Sequence, residues 1–123
     1  MGRPVHFDVS AEDPERAAGF YRTVFGWQVD KWEGPVDYWL ITTGPEGTPG
    51  IDGGMGRRPA AEGPSTVNTI DVKDLDAALR AILAAGGSVV HGKHAVPGVG
   101  WLAYCADTEG NVFGAMQNDP GAR

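Results

Sequence analysis

A complete helix is predicted by the stretch DPERAAGFYRTVFG, residues 13–26. Asp13 can cap the free N–H groups of the first turn, and Pro14 has the fixed backbone angle that suits that turn. The apolar side chains of this stretch recur at the three- and four-residue spacing of one helical face. Gly26 can adopt the left-handed conformation that ends a helix. The helix therefore has a defined beginning, one apolar face and a defined end.

A second helix repeats this pattern 61 residues later. Asp74 stands 61 positions after Asp13, and the glycines that end the two helices, Gly26 and Gly87, keep the same interval. Each helix is preceded by an alternating strand and followed by further strands, bounded by Gly or Pro. Agreement of caps, ends and strands at a single interval indicates a duplicated module of the form βαβββ.

We expect the chain to be a single α+β domain in which two tandem modules form one cupped, mixed sheet. Module one covers about residues 1–56 and module two about residues 66–118. The segment 57–65 between them is rich in Pro, Gly and Ala and is predicted to be a linker. A module of roughly 60 residues with one helix buries too little surface to be stable alone, so the two modules are expected to share a core.

Composition restricts the partners of this 123-residue chain. A hydrophobic content of 41% and a charged content of 21% are typical of globular proteins, and a net charge of −6 argues against a nucleic acid or an anionic membrane as partner. The N-terminus lacks the apolar core of a signal peptide, so we expect a cytoplasmic protein. The lone Cys105 excludes an internal disulfide; in a predicted strand it is better interpreted as a small buried hydrophobe than as a nucleophile.

Three motifs identify a resemblance to a known superfamily. The stretch FYRTVFG, residues 20–26, is similar to a signature FY-x-x-x-(L/F)-G, and residues 71–78 and 106–111 are similar to V-x-D-x-D-A-A and D-P-x-G-N elements. These motifs belong to the vicinal-oxygen-chelate superfamily of glyoxalases, bleomycin-resistance proteins and extradiol dioxygenases. The chain most resembles small glyoxalase-like bacterial proteins. The resemblance implies the fold and a homodimer, but not a reaction, because the superfamily contains lyases, isomerases, dioxygenases and drug-binding proteins.

The resemblance also implies a divalent metal, held by His, Gln or Glu from the first and last strands of each module. The last-strand positions correspond to Gly114 and, at the interval of 61, to Gly53, which have no side chains. The first-strand positions correspond to Val67 and to His6, or to Pro4 if the alignment contains a two-residue gap. We therefore predict that the usual metal site is missing and that the chain needs no cofactor.

An atypical divalent metal site would have to use His6, His91 or His94. The spacing His91-x-x-His94 leaves such a site open. The simpler interpretation is two solvated loop histidines.

Strand alternation predicts which side chains line the cup. Val5, Phe7 and Val9 are expected to pack on the helices, which turns His6, Asp8 and Ser10 towards the cup; Val67, Thr69 and Asp71 occupy that side in the second half. His6 and Asp8 are the candidate catalytic residues, because an imidazole next to a carboxylate suits general base chemistry. Asp8 and Asp71 could also share the site and separate their pKa values. The alternative is that one of them pairs with an arginine or lies at the exposed rim.

Aromatic side chains complete the predicted ligand site. Only alternate residues of a strand face the cup, so either Tyr38 or Trp39 does, and either Trp101 or Tyr104. The predicted ligand-binding residues are Trp39, Thr69, Asp71, Trp101 and Tyr104. We expect a protein that binds a small flat or aromatic molecule without metal. The alternatives are a lyase, isomerase or dioxygenase, metal-dependent or metal-free, and a structural subunit with a vestigial cup.

Overall fold

The computed structural model describes residues 2–58 and 65–123. The chain divides into two compact units, His6–Val67 and Met1–Val5 with Asn68–Arg123. The first few residues therefore group with the second half of the chain rather than with the first. Of the predicted linker, residues 59–64 lie outside the described residues.

The order strand, helix, three strands occurs in both halves, which confirms the predicted α+β fold. The first half contains β1 (Arg3–Ala11), α1 (Pro14–Phe25), β2 (Gln28–Lys31), β3 (Tyr38–Thr42) and β4 (Asp52–Arg57). The second half contains β5 (Thr66–Asp71), α2 (Leu75–Ala84), β6 (Ser88–Val96), β7 (Gly100–Ala106) and β8 (Val112–Asn118).

Strand pairing follows the same scheme in both halves. In the first half β1 pairs parallel with β4, β4 antiparallel with β3, and β3 antiparallel with β2. In the second half β5 pairs parallel with β8, β8 antiparallel with β7, and β7 antiparallel with β6. Each half therefore builds a mixed sheet in which the first and last strands of the module are neighbours.

The two helices begin at the predicted caps. The carboxylate of Asp13 accepts a hydrogen bond from the backbone N–H of Arg16 at 3.1 Å, and that of Asp74 accepts from Ala77 at the same distance. Each bond satisfies an N–H group that has no partner inside the helix. Gly26 ends α1 with a φ of 70°, the left-handed conformation that its lack of a Cβ allows.

Each helix packs on one face of its own sheet. The core under α1 contains Ala18, Val29, Trp39, Ile41 and Met55, with Phe7 and Val9 packed against it. The core under α2 contains Leu75, Ala103, Cys105 and Ala115. We call the opposite face of each sheet its distal face. Val5 is the exception to the predicted alternation, because it is 48% exposed.

Cys105 lies in β7 and is buried, as predicted. Burial raises the pKa of its thiol, because the thiolate would lose its hydration. Its chemistry is therefore that of a packed side chain.

Candidate functional site

A polar cluster forms on the distal face of the first sheet. Because Phe7 packs in the first core, its strand neighbours His6 and Asp8 point to the distal side. The Tyr38 hydroxyl donates a hydrogen bond to Oδ1 of Asp8 and lies 3.2 Å from Nε2 of His6. The same Nε2 lies 3.5 Å from Oδ1 of Asp8. The three side chains are therefore one connected group, built from two strands that are distant in sequence.

A glycine in β4 makes this cluster possible. Gly54 is the Cα partner of Asp8 in the parallel pair of β1 and β4. A Cβ at this position would overlap the phenol ring and hydroxyl of Tyr38. The bare backbone of Gly54 thus lets the Tyr38 ring lie across β4 and reach the Asp8 carboxylate.

The cluster is accessible and can handle protons. The His6 side chain is 36% exposed and that of Asp8 is 26% exposed. Asp8 supplies acceptors, Tyr38 donates to Asp8, and the neutral His6 ring has one donor and one acceptor nitrogen. This set can hydrogen-bond a polar group of a bound molecule. Because the single Tyr38 hydroxyl proton goes to Asp8, Nε2 of His6 is the donor towards Tyr38, and Nδ1 is the nitrogen that can take up or release a proton.

Apolar surface lies beside the cluster. The Trp32 ring meets that of Tyr38 edge-on, with centroids 6.4 Å apart, and Trp32 is 37% exposed. Leu40 follows Tyr38 by two positions on β3, so it shares the distal face, and it is 47% exposed. A flat molecule held by the cluster would therefore find apolar contacts within reach.

The two tryptophans predicted to bind ligand lie on the other side of their sheets. Trp39 is 2% exposed within the first core, and its indole N–H donates to Oε1 of Glu15 at 2.9 Å. Trp101 packs against the second core, and its indole N–H donates to Oδ2 of Asp119 at 3.0 Å. Strand alternation places Tyr38 and Tyr104 distally instead. The placement of Trp39 and Trp101 in the cup is therefore wrong, whereas Tyr104, which was also predicted to bind ligand, stays a prediction.

The other predicted ligand contacts belong to the second unit. Thr69 is 5% exposed and pairs with Gly114, and a Cβ at Gly114 would lie 3.5 Å from Cε1 of Tyr104. Asp71 accepts a hydrogen bond from Asn118 at 3.3 Å. The sharing of a site between Asp8 and Asp71 stays a prediction.

The structure corrects one of the predicted metal-ligand positions. Gly53 pairs with Phe7, and a Cβ on it would meet the Phe7 ring and carbonyl oxygen, so Gly53 faces the helix side. The paired residue on the distal face is Gly54. In the first half the paired residues of β1 and β4, such as 8 and 54, are 46 positions apart. In the second half the paired residues of β5 and β8, such as 69 and 114, are 45 positions apart. Because the repeat was aligned without gaps at an interval of 61, this one-residue difference shifted the predicted position from Gly54 to Gly53. Both distal positions are still glycines.

One carboxylate on a last strand was missed by the sequence interpretation. Asp52 is the Cα partner of His6, and because Gly53 faces the helix side, alternation places Asp52 distally. Its Oδ1 accepts hydrogen bonds from the backbone N–H of Thr43 at 2.9 Å and from the Thr43 hydroxyl at 3.3 Å. The carboxylate therefore stabilises the connection between β3 and β4 by hydrogen bonds to Thr43.

The donor set does not fit the four-ligand metal site of the superfamily. Glycine occupies the last-strand position opposite Asp8, and it also occupies the position opposite Thr69. Within residues 2–58 and 65–123, no group of three His, Cys, Asp or Glu side chains could hold a metal ion. We therefore derive no chemical step through a metal at these positions.

His91 and His94 occupy a different setting from the predicted loop. Both lie within β6, and their rings are adjacent, with centroids 4.7 Å apart. The loop interpretation was wrong, because Gly92 and Lys93 continue β6 beyond His91.

A separate cavity of about 450 Å³ lies at the N-terminal end of α1. It is lined by Ser10, Ala11, Glu12, Asp13, Arg16, Ala17, Phe20, Tyr21 and Arg58. None of the polar cluster residues lines it. We place the candidate site at the cluster, because the Tyr38 hydroxyl there contacts both an imidazole and a carboxylate on the exposed face.

Comparison with known proteins gives the family. Residues 4–116 match the family described as "Glyoxalase-like domain". The chain belongs to this family. It is therefore a member of the vicinal-oxygen-chelate superfamily, which confirms the resemblance predicted from its motifs.

Solved structures similar to this glyoxalase-like chain share its fold. Methylmalonyl-CoA epimerase from Mycobacterium tuberculosis has a TM-score of 0.71 and 15% identity, covering 95% of this chain and 88% of that one. A variant of the Streptomyces coelicolor epimerase, in complex with 2-nitronate-propionyl-CoA, has 0.70 and 13%, covering 100% and 99%. A hypothetical protein from Bacillus halodurans has 0.70 and 13%, covering 100% and 99%. At such identities the likeness concerns the fold alone.

No curated protein matches the glyoxalase-like chain significantly in sequence. Among the described residues, no helix has both the length and the apolar character needed to cross a membrane.

Proposed function

We propose that this glyoxalase-like chain binds a small molecule on the distal face of its first sheet. The hydrogen-bonded cluster of His6, Asp8 and Tyr38 carries the proposal. It is partly exposed, it offers both donors and acceptors, and it leaves the helix-facing core of the sheet untouched. Folding alone does not require polar side chains to be grouped beside Gly54 on a partly exposed face, so we infer a role in binding.

The surroundings of the cluster favour a particular kind of ligand. Trp32 and Leu40 are partly exposed apolar side chains next to polar ones, which is the combination found in small-molecule sites. The ligand would present a flat or aromatic part to these side chains. It would also carry an oxygen or nitrogen group for His6 and Tyr38.

Nuclear magnetic resonance mapping tests this proposal. A panel of flat aromatic carboxylic acids and CoA thioesters would be titrated into labelled protein. A binding compound should shift the amide signals of β1, β3 and β4 most strongly. Tyr38→Phe removes the hydroxyl of the cluster and Asp8→Asn removes its negative charge, so each should weaken binding about tenfold or more.

The matched control is Asp76→Asn, which changes one carboxylate of the second unit. It should leave binding unchanged. Signal changes centred on another surface, or unaltered affinity in both cluster variants, would place the ligand elsewhere.

A second candidate function is proton transfer without a metal, as in an isomerase or lyase. The close approach of Nε2 of His6 to both Tyr38 and Asp8 favours it, because a general base needs a partner that fixes its orientation. The solved epimerases show that the same fold accommodates CoA thioesters in other proteins. Here His6 would remove an acidic C–H proton, and Asp8 would stabilise the resulting imidazolium.

Deuterium incorporation from D₂O into methylmalonyl-CoA tests this second candidate. His6→Ala should lower the exchange rate by about a hundredfold or more, the usual contribution of a general base. Exchange that persists in the His6 variant but disappears with a chelator would point to a metal-dependent enzyme instead.

We also propose that the chain forms a homodimer, as its resemblance implies. Three large apolar side chains of α1 are more than half exposed in the single chain: Phe20, Val24 and Phe25. A second copy could cover them. Sedimentation as a monomer at micromolar concentration would contradict this part of the proposal.

A further inference from the structure

A register shift between His91 and His94 brings the two histidines to one face of β6. His91 pairs with Tyr104 and His94 with Leu102, and the pairing shifts on both sides of His91. Residues three positions apart in a regular strand point to opposite faces. Extra residues in a bulged strand change this alternation. Both imidazoles consequently lie opposite distal residues of β7.

Lys93, one of the two residues between the histidines, shows which face they occupy. Lys93 turns towards α2, where its Nζ lies 3.2 Å from both carboxylate oxygens of Asp76. The same Nζ lies 5.1 Å from the centroid of the Trp101 ring, on the helix side of β7. His91 and His94 therefore lie on the opposite, distal side of β6.

The two rings have the separation expected of imidazoles that share one metal ion. Their centroids are 4.7 Å apart and their planes are inclined by 75°. With metal–nitrogen bonds of about 2.0–2.1 Å, two imidazoles in tetrahedral or square-planar arrangement have centroids roughly 4.5–5 Å apart. An ion could thus bridge the pair without a large movement of the backbone.

A backbone contact sets the tautomer of one ring. Nδ1 of His94 lies 3.0 Å from the carbonyl oxygen of Gly92. A carbonyl oxygen only accepts hydrogen bonds, so Nδ1 is the donor, and in the neutral ring Nε2 carries the lone pair. Metal-binding histidines commonly have this backbone anchor, because it fixes the ring and leaves the other nitrogen as the ligand.

We propose that His91 and His94 together bind one divalent transition-metal ion, of the Cu²⁺, Ni²⁺ and Zn²⁺ class that prefers imidazole. Water fills the remaining positions. The Tyr104 ring, whose centroid is 6.3 Å from that of His94, borders the site. This site differs from the four-ligand site of the superfamily in its residues, and it does not depend on the proposed ligand site. With two protein ligands, Cu²⁺ should bind more tightly than Zn²⁺, as the general order of affinities requires.

Calorimetric titration of protein without a histidine tag, with Cu²⁺ or Zn²⁺ alone, tests the proposal. One ion per chain should bind, with a lower Kd for Cu²⁺. His91→Ala and His94→Ala should each raise the Kd at least tenfold. Both side chains are solvent-accessible, and circular dichroism would establish that both variants are folded.

Two variants provide matched controls. Lys93→Ala removes the side chain between the histidines, and His6→Ala removes the remaining histidine of the chain. Both should retain one ion with unchanged Kd. Absence of binding by the unaltered chain, or equal Kd values in the unaltered chain and both His variants, would show that the histidines are only packed against each other. Loss of the ion in the His6 variant would also overturn the proposal.

Discussion

The helix-facing sides of the two sheets repeat each other, whereas their distal faces do not. Trp39 and Trp101 are 62 positions apart, and so are the lysines over their rings, Lys31 at 5.5 Å and Lys93 at 5.1 Å. Each indole donates a hydrogen bond to a carboxylate, at 2.9 and 3.0 Å. Each lysine is ion-paired with an aspartate, at 3.3 and 3.2 Å. The duplication thus includes the Trp–Lys contact, whereas the carboxylate partners, Glu15 and Asp37 in the first unit and Asp119 and Asp76 in the second, lie at positions that do not correspond.

On the distal faces the first sheet carries the His6, Asp8 and Tyr38 cluster. Around Gly114 the second sheet carries Thr69, Leu102 and Tyr104 instead. The lesson is that the side packed on the helix is governed by the fold, while the distal side is available for chemistry. Function must therefore be argued from the residues in which the two units differ.

The largest expected difference between the repeated features concerns the two tryptophans. Trp39→Ala removes a side chain that is 2% exposed and should cost about 3–5 kcal/mol of unfolding free energy. Trp101→Ala should cost about half as much, because its ring is only partly buried and loses less on truncation. Urea unfolding followed by circular dichroism measures both changes.

Phenylalanine variants separate the ring from its hydrogen bond. Trp39→Phe and Trp101→Phe keep most of the apolar contact and lose the indole N–H, so each should cost about 1 kcal/mol through that bond. Equal losses in the two alanine variants would show that the units depend equally on their tryptophans, despite the difference in burial.

The two glycines at the interval of 61 should respond differently to an added methyl group. In Gly53→Ala the new Cβ meets the carbonyl oxygen and ring of Phe7, and the backbone cannot yield without distortion. We expect a loss of about 1–3 kcal/mol. In Gly114→Ala the neighbours are ends of side chains, Oγ1 of Thr69 at 3.0 Å and Cδ1 of Leu102 at 3.4 Å. The loss should stay below about 1 kcal/mol, because these atoms can move.

Gly56→Ala is the control for the added Cβ itself. It has no heavy atom within 4 Å of the new Cβ and needs no positive φ. Its effect on thermal stability should be within about 0.5 kcal/mol. If Gly114→Ala proved as costly as Gly53→Ala, the two glycines would have equivalent surroundings and the assignment of opposite faces would be wrong.

Most of the fold could be predicted from the sequence, because its signals are local. The caps Asp13 and Asp74, the glycine at the end of α1 and the alternation of β1 act over a few residues. The pairing of β1 with β4 is not local. The register of this pair differs by one residue from that of β5 and β8, so the repeat alone assigned Gly53 to the distal face. The observed register shows that Gly54 occupies the distal position.

The candidate site could be predicted only in part, because some of its residues follow from local signals and others depend on strand pairing. His6 and Asp8 follow from alternation along a single strand. The choice between Tyr38 and Trp39 required knowledge of which β3 residues contact α1, and no spacing supplies that. The bulge that aligns His91 with His94 also depends on the partner strand, so the sequence suggested a loop there.

The smallest expected difference concerns the turns that lead to the last strands. The Asp107 carboxylate accepts hydrogen bonds from the backbone N–H groups of Glu109 at 2.8 Å and Asn111 at 2.9 Å. It also accepts one from the Asn111 side chain at 2.9 Å. The Asn111 side chain, and then the two backbone donors, hold the pKa of Asp107 below its ordinary value of 3.8. In the first half, the residue 61 positions earlier is Glu46, which has no hydrogen bond or ion pair within the described part of the chain.

Asp107→Asn should therefore lower the melting temperature slightly at about pH 7 and not at all in strong acid. A carboxylate whose pKa is lowered by folding stabilises the chain above its unfolded pKa, and this contribution is lost as the pH falls through the folded value. The difference between the unaltered chain and the variant should thus shrink on acidification. Glu46→Gln, which makes the same change of charge, should have no such pH-dependent effect. Equal effects of the two substitutions would mean that removal of a negative charge from an acidic chain, rather than the Asp107 hydrogen bonds, governs the stability of the second turn.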